Sequence, residues 1–587
     1  MLTRWGKALD SDAVLQEYPR PQLRRDSYLN LNGFWDYAMT ASDQRPDGYD
    51  GQILVPFSPE SELSGVNRTL TPEGRLWYRW AIELPDGFLK DRLLLHFGAV
   101  DQIATVWVNG TEVGGHVGGF TPFSIDITAA WNRGGANEVI VRVVDTTDTS
   151  WHSRGKQRTK RGGIWYTPQS GIWQTVWMES VPNEFIRGLT IRPDFDGSAV
   201  EITIDGGVGE LRCSAEVDGR TVEGWTGRPI RLDMTGFEPW TPETPKLYDL
   251  TVRMGEDRVE SYFGMRKVAI EKGADGVPRF MLNNRAIFQS GLLDQGYWSD
   301  GMLTAPSDDA LIADIAMAKA MGFNMLRKHI KVEPLRWYYH CDRLGMLVWQ
   351  DMVNGGGTYS TALISVPVFL RLPIRDRFYR LFARGDRAGR AQYRVELDEM
   401  IAHLRNVPSI VVWVPFNEGW GQFDAVETTT HLRAADPTRL VDSASGWYDQ
   451  GCGDFSSRHV YFKPVRFEAD GRGRAAALSE FGGYNLRIPG HAYNEKDFGY
   501  KRLSSREELG AWLRRLYREE ISPAVERGLV AAIYTQLSDV EDELNGLVTY
   551  DREVVKVDAA AMRELNLGMR RVKYGLISQM HSSKPDV

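Results

Sequence analysis

The chain has few cysteines, no long apolar run and no excess of basic residues. Cys213, Cys341 and Cys452 are odd in number and widely spaced among 587 residues, which excludes a disulfide framework and a cysteine-based zinc site and points to a reducing compartment. No segment holds 18 uncharged apolar residues, and the opening MLTRWGKALDSDAVLQEYPRP lacks an apolar stretch of signal-peptide length. A cytoplasmic protein with no membrane partner, acting on imported and already shortened substrate, is therefore expected. The formal net charge is −8 and no Lys/Arg stripe is interleaved with aromatics, so nucleic acid is excluded as a partner and a neutral small substrate fits better.

What is present is the composition of an ordinary globular protein, 42% hydrophobic and 25% charged, in a chain too long for one hydrophobic core. The 19 tryptophans suit large β-rich cores and also the apolar C–H faces of sugar rings. Three domains are expected. Residues 1–182 read as short alternating strands, such as Leu93 to Phe97 and Val139 to Val144; Ala104, Val106 and Val108 alternate before the turn dipeptide Asn109-Gly110, a hairpin within a β-sandwich. Residues 183–271 continue in strands, with Val200, Ile202 and Ile204 on one face and Leu211, Cys213, Ala215 and Val217 on another, indicating a second, smaller sandwich. From 272 to 587 strands alternate with helices, which predicts a parallel sheet wrapped by helices.

In that last region Ser307-Asp308-Asp309 opens a helix ending at Gly322, and further helices are expected over Pro334 to Leu344 and near Val395 to Leu404. Strands are expected at Ala286–Leu292, Asn324–Ile330, Met346–Met352, Ile410–Phe416, Leu440–Ser443, His459–Phe462, Ala477–Phe481 and Val530–Leu537. Eight such strands close a (β/α)8 TIM barrel. The long connection from Val353 to Arg390, with three glycines and a basic stretch, would lie over the barrel mouth as a specificity loop, an oligomer contact or a plain excursion.

Glu418, in PSIVVWVPFNEGWG, and Glu480, in AALSEFGG, each follow an apolar strand and would project into the mouth. Cleaving a glycosidic bond with retention needs one carboxylic acid to protonate the leaving oxygen and one carboxylate to attack the anomeric carbon. A strand-end glutamate alone equally caps a helix or pairs with an arginine. Asn417 beside Glu418 suits a sugar 2-hydroxyl, and Gly482-Gly483 after Glu480 would let backbone approach substrate.

These motifs resemble glycoside hydrolase family 2, which contains β-galactosidases, β-glucuronidases and β-mannosidases. FGAVDQIATVWVNGTEVGGHVGGFTPFSIDIT and SGIWQTVWMESV resemble its jelly-roll sugar-binding domain, WTPETPKLYDLTV its Ig-like domain, and GFNMLRKHIKVEP, CDRLGMLVWQDM, FNEGWG and SEFGG its barrel. The resemblance implies a retaining double displacement without metal or cofactor, with Glu418 as acid/base and Glu480 as nucleophile. It places Arg327 at the end of the second strand, orienting the nucleophile or forming an interior ion pair, and His329 in the same segment among the substrate-binding residues. Tyr461 would donate to Glu480 or pack in the core.

The sequence departs from familiar relatives after the first barrel strand, where Asp294 and Gln295 suit hydroxyl recognition and Trp298 stacking, or all three are structural. Near the eighth strand Tyr534-Thr535-Gln536 replaces a tryptophan platform, and Glu543-Leu-Asn545 stands where glucuronidases carry Asn-x-Lys. Without that lysine a substrate carboxylate would meet Glu543, so a uronic acid is disfavoured. An exo-acting β-galactosidase-like enzyme, on a galactopyranoside or galactofuranoside, is slightly preferred over a β-mannosidase or arabinosidase. A carbohydrate-binding protein without catalysis and a transglycosylase are the other readings, and assembly through the sandwich domains is open.

Overall fold

The computed structural model describes residues 1–360, 362–363 and 374–571. Its first unit is a sandwich of a six-stranded and a four-stranded antiparallel sheet. Trp35, Tyr78, Leu93, Leu95, Val106, Val141 and Met178 fill the space between the sheets. The expected hairpin forms between Ile103–Val108 and Thr111–Val117. Asn109 and Gly110 both adopt positive φ, 50° and 80°, the conformation of a type I′ turn, which matches the right-handed twist of the flanking strands.

The second unit packs a three-stranded sheet on a four-stranded one. Alternation decides the faces: Val200, Ile202 and Ile204 point inward against Cys213, Ala215 and Val217. Trp240, fully buried, donates its indole N–H to the carbonyl of Asp342 at 2.8 Å. Arg266 donates to the carbonyls of Pro408, Thr438 and Ile410. These bonds fasten the second sandwich to the third unit.

That third unit is an eight-stranded parallel sheet: β1 (Gln289–Asp294), β2 (Met325–Lys328), β3 (Leu347–Asp351), β4 (Ile410–Val414), β5 (Leu440–Val441), β6 (Phe455–Val460), β7 (Ala475–Gly482) and β8 (Leu529–Thr535). The order is β5-β4-β3-β2-β1-β8-β7-β6, the sequence of a (β/α)8 barrel. Helix α1 (Asp308–Ala320) is capped by Ser307, whose hydroxyl accepts from the Ala310 N–H, and the chain leaves it through Gly322 at φ 84°.

Most strands differ from the expected ranges by a residue or two at an end, and three differences matter more. Arg285–Ala286 turn back through Asn283 and Asn284, both at positive φ, to pair with Pro278–Leu282, so β1 starts only at Gln289. Phe280 and Leu282 then pack with the barrel interior at Leu293, Trp349 and Ile533. The sixth strand is Phe455–Val460, which leaves Tyr461 just beyond its end. The helix before β4 begins at Arg387, where the Asp386 carboxylate accepts from Gly389, eight residues earlier than expected. Part of the 353–390 connection therefore belongs to this helix, and its residues 361 and 364–373 lie outside the described residues.

Candidate active site

Beyond β4 the chain turns sharply. Glu418 sits at φ 50° and Gly419 at 73°, and the Glu418 N–H donates to the Ser445 carbonyl at 2.9 Å. Left-handed backbone at a non-glycine residue costs about 1 kcal/mol and persists only where surrounding bonds impose it. Here it turns the carboxylate across the mouth toward β6 and β7. Glu480 is aimed by another device. Between Leu478 and Phe481 strand β7 carries one more residue than β8 opposite it, and its register slips against β6 at the same place. Such a bulge re-aims side chains. An oxygen of each glutamate and a ring nitrogen of His459 all lie within 4.8 Å of one another.

Arg327 ties the floor together. Fully buried, it grips Asp351 on β3 with two bonds of 2.9 Å, reaches the Ser479 carbonyl at 3.1 Å and Glu480 Oε1 at 3.2 Å, and donates to Asn417 Oδ1 at 2.9 Å. Burial opposes its charge, but Asp351 and Glu480 more than offset this and hold it protonated. Because the Asn417 oxygen is taken, its amide N–H2 is the free end, buried and without a partner among the described residues. His329 is locked to Asp351 at 2.9 Å, and burial keeps it neutral. Tyr461 donates to Glu480 Oε2, and its ring stacks on Tyr500 at 3.7 Å.

The two carboxyls differ in company. Burial lifts Glu418 to about 7, with Lys156 and Arg327 pulling down and Glu543 pushing up. Burial also raises Glu480, but His459, Arg327 and Tyr461 oppose the rise. The pair titrates as a unit, and the donors favour losing the first proton from Glu480.

His459 is a residue the sequence reading missed. Its Nδ1 lies 2.7 Å from Glu418 Oε1, and its Nε2 3.0 Å from Ser445 Oγ and 3.5 Å from Glu480 Oε1. Burial lowers its pKa to about 4, so it is neutral and carries one proton. With that proton on Nε2, the ring faces ionised Glu480 with a donor and protonated Glu418 with an acceptor. A signal was available: His459 and Tyr461 are two apart and so share a face. Glu418, His459 and Glu480 form the grouping of three potential metal donors among the described residues, but their facing atoms already satisfy one another.

The remaining candidates fall into the framework. Asp294 accepts from Lys328 at 2.7 Å and from the Gly296 N–H at 2.9 Å, engaging both oxygens. Trp298 carries the Arg552 guanidinium 4.3 Å from its ring centre and meets Trp5 edge-on, so no face is left for a sugar. Gln295 starts an amide chain, donating to Gln536, which donates to Asn545. It lines a small cavity with Lys156 and His329. The space left by Gly482 and Gly483 is taken by the rings of Tyr534 and Tyr500, so these glycines admit tyrosines rather than substrate. Finally, Glu543 does meet a lysine: Lys156, from the first sandwich, sits 3.4 Å away, and Tyr166 donates to the same carboxylate.

Comparison with known proteins assigns this architecture. Models of glycosyl hydrolases family 2 match in order, the sugar binding domain over 58–182, a second family 2 domain over 185–266 and the TIM barrel domain over 276–464. The chain belongs to glycosyl hydrolase family 2. It is a glycoside hydrolase of that family by sequence and by fold. A β-glucuronidase of Paenibacillus borealis is 23% identical over 461 residues, 72% of this chain and 73% of the relative. The Homo sapiens β-glucuronidase is 22% identical over 75% of this chain and 72% of its own length. A β-galactosidase of Streptococcus thermophilus is 23% identical over 66% of this chain and 37% of its own. Among solved structures, a β-D-glucuronidase from Dictyoglomus thermophilum superposes with TM-score 0.72 at 18% identity, covering 94% of this chain and 98% of that one. A β-galacturonidase from Eisenbergiella tayi bound to galacturonate gives 0.69 at 19%, covering 95% and 99%. Family 2 galactosidases are thus not singled out by these likenesses. No helix among the described residues is long and apolar enough to cross a membrane.

Proposed function

We propose that the protein is a retaining exo-β-glycosidase that works through a covalent glycosyl-enzyme, with Glu480 as nucleophile and Glu418 as acid/base. The observation that carries this is the separation of the two carboxyls, with oxygens within 4.8 Å. Retention requires about 5–5.5 Å between carboxyl groups, whereas inversion needs about 6.5–9.5 Å to seat a water. Glu480 attacks the anomeric carbon as Glu418 passes its proton to the departing oxygen. Glu418, now ionised, takes a proton from water, and the hydroxide displaces Glu480 and restores both groups. The unpartnered Asn417 amide is suited to hold the sugar 2-hydroxyl through both steps.

An exo mode is supported by the wall that the first sandwich builds across the mouth. Arg154 donates to the carbonyls of Gly356 and Gly357 on one side, and Arg161 pairs with Glu541 and Asp542 on the other. For the glycone, the Lys156–Glu543 pair and the Gln295–Gln536–Asn545 chain favour a neutral sugar read by its hydroxyls, as in a β-galactoside. A uronoside is the second reading, favoured by the glucuronidase relatives and by Lys156, which supplies the cation that the sequence reading found missing. Hydrolysis of a panel of aryl β-glycosides, with galactopyranoside, galactofuranoside, mannoside, arabinoside and glucuronide members, tests both. One turned-over member names the sugar. Binding of members without turnover would replace the enzyme reading with a carbohydrate-binding one.

A further inference from the structure

The segment of the first sandwich that crosses the mouth is strongly basic. Between Trp151 and Arg161 it carries Arg154, Lys156, Arg158, Lys160 and Arg161 and no carboxylate. Lys156 is answered by Glu543, Arg161 by Glu541 and Asp542, and Arg154 by carbonyls, while Lys160 is exposed. Arg158 differs from all of these. Its guanidinium lies on the ring of Trp165, 3.7 Å from the centroid, and it forms no ion pair among the described residues. Asp148 acts on it from a distance but is held by Thr159. Burial and the neighbouring Arg154 both disfavour its charge. A partly buried cation with a second cation beside it and, among the described residues, only the already engaged Asp148 as an acidic neighbour is unfavourable for the free protein.

Its place in the mouth says what it is for. Trp165 packs on Trp420 at 5.2 Å and on Tyr359 at 6.0 Å, and Trp420 stands two residues past Glu418, buried, with its indole N–H unpartnered. The acid/base stands on the side from which the leaving group departs. On that side stand the unpartnered indole N–H of Trp420 and, laid on the ring of Trp165, the guanidinium of Arg158. A stacked guanidinium keeps its donor edge free for a planar anion.

We propose that Trp420, Trp165 and Arg158 form a leaving-group subsite that takes an aryl or glycosyl group bearing a carboxylate. The proposal rests on the glycosidase reading and adds the chemistry of the group released. A uronic acid at the other end of the substrate would lie toward Lys156 and Glu543, which already pair with each other.

The test compares 4-methylumbelliferyl and 3-carboxyumbelliferyl β-glycosides of the sugar chosen by the panel, with the full-length wild type and Arg158→Gln. The carboxylated substrate is expected to win by about tenfold in kcat/KM, through KM, as for one charge-assisted contact. The preference should shrink between 50 and 500 mM NaCl as in any partly exposed ion pair, and Arg158→Gln should bring the ratio close to one. A ratio that Arg158→Gln leaves in place overturns the proposal. So does an Arg158→Gln loss confined to 4-methylumbelliferyl glucuronide, which would assign Arg158 to the glycone. Calorimetry with the leaving groups alone needs no turnover. Binding of 3-carboxyumbelliferone, but not 4-methylumbelliferone, that vanishes in Arg158→Gln supports the subsite even where no glycoside is cleaved. Equal binding of the two overturns it, whatever becomes of the glycosidase reading.

Discussion

Strands β4 and β7 each deliver a glutamate to the same mouth, and the surroundings of the two carboxyls are opposite in kind. Glu480 receives Arg327, Tyr461 and the far nitrogen of His459, whereas Glu418 meets one ring nitrogen of the same histidine. Identical side chains a few ångströms apart thereby meet different surroundings, which suits the nucleophile and acid roles proposed for them. Replacement of each glutamate is the strongest way to break this comparison. Glu480→Ala should lower kcat by at least about 10⁴-fold on every aryl glycoside, since nothing else can form the glycosyl bond. Glu418→Ala should cost about 10²–10⁴-fold on a poor leaving group but far less on a dinitrophenyl one, which departs without a proton. Azide should then restore turnover and yield the β-glycosyl azide. Equal losses across leaving groups in Glu418→Ala would mean that the acid has been misplaced.

The next effect is smaller and concerns the histidine between them. Activity needs Glu480 ionised and Glu418 protonated, so kcat/KM should fall as pH rises through about 7, the value to which burial lifts Glu418. In His459→Ala the acceptor for the Glu418 proton is gone and water takes up part of the space. The alkaline limb should move to lower pH, with a loss of about tenfold near neutrality. A uniformly slower enzyme with an unmoved limb would leave His459 a packing residue only.

What was legible in the sequence follows the same division between local and distant causes. Strand alternation, the Asn109-Gly110 turn and the Ser307 cap are local, and each stands where the residues put it. The glutamates stand out because an apolar strand that ends in a carboxylate is itself a local signal. What escaped depends on partners far along the chain. Trp298 looks like a sugar platform until Arg552 covers it, and Asp294 looks available until Lys328 takes it. The lysine that seemed missing at Glu543 arrives from position 156, in another domain. The bulge that aims Glu480 has no residue signature, because it arises from register against β6 and β8.

The weakest expected effect sharpens the comparison by reading stability instead of rate. Below the ordinary carboxyl value of 4.5, Glu418 is protonated in both the folded and the unfolded chain, and its burial carries no ionisation cost. Between 4.5 and about 7 the unfolded chain releases its proton while the folded one keeps it, so folding loses stability as pH rises, and above about 7 the loss is constant. For a shift of this size the loss is on the order of 3 kcal/mol. Glu418→Gln removes the titration while keeping a hydrogen-bonding group toward His459. Its melting temperature should therefore match the wild type at pH 4.5 and exceed it at pH 8, with the gap opening between. A gap of the same size at both pH values would show that Glu418 is not held above the ordinary carboxyl range, and the contrast with Glu480 would then rest on hydrogen-bond geometry alone.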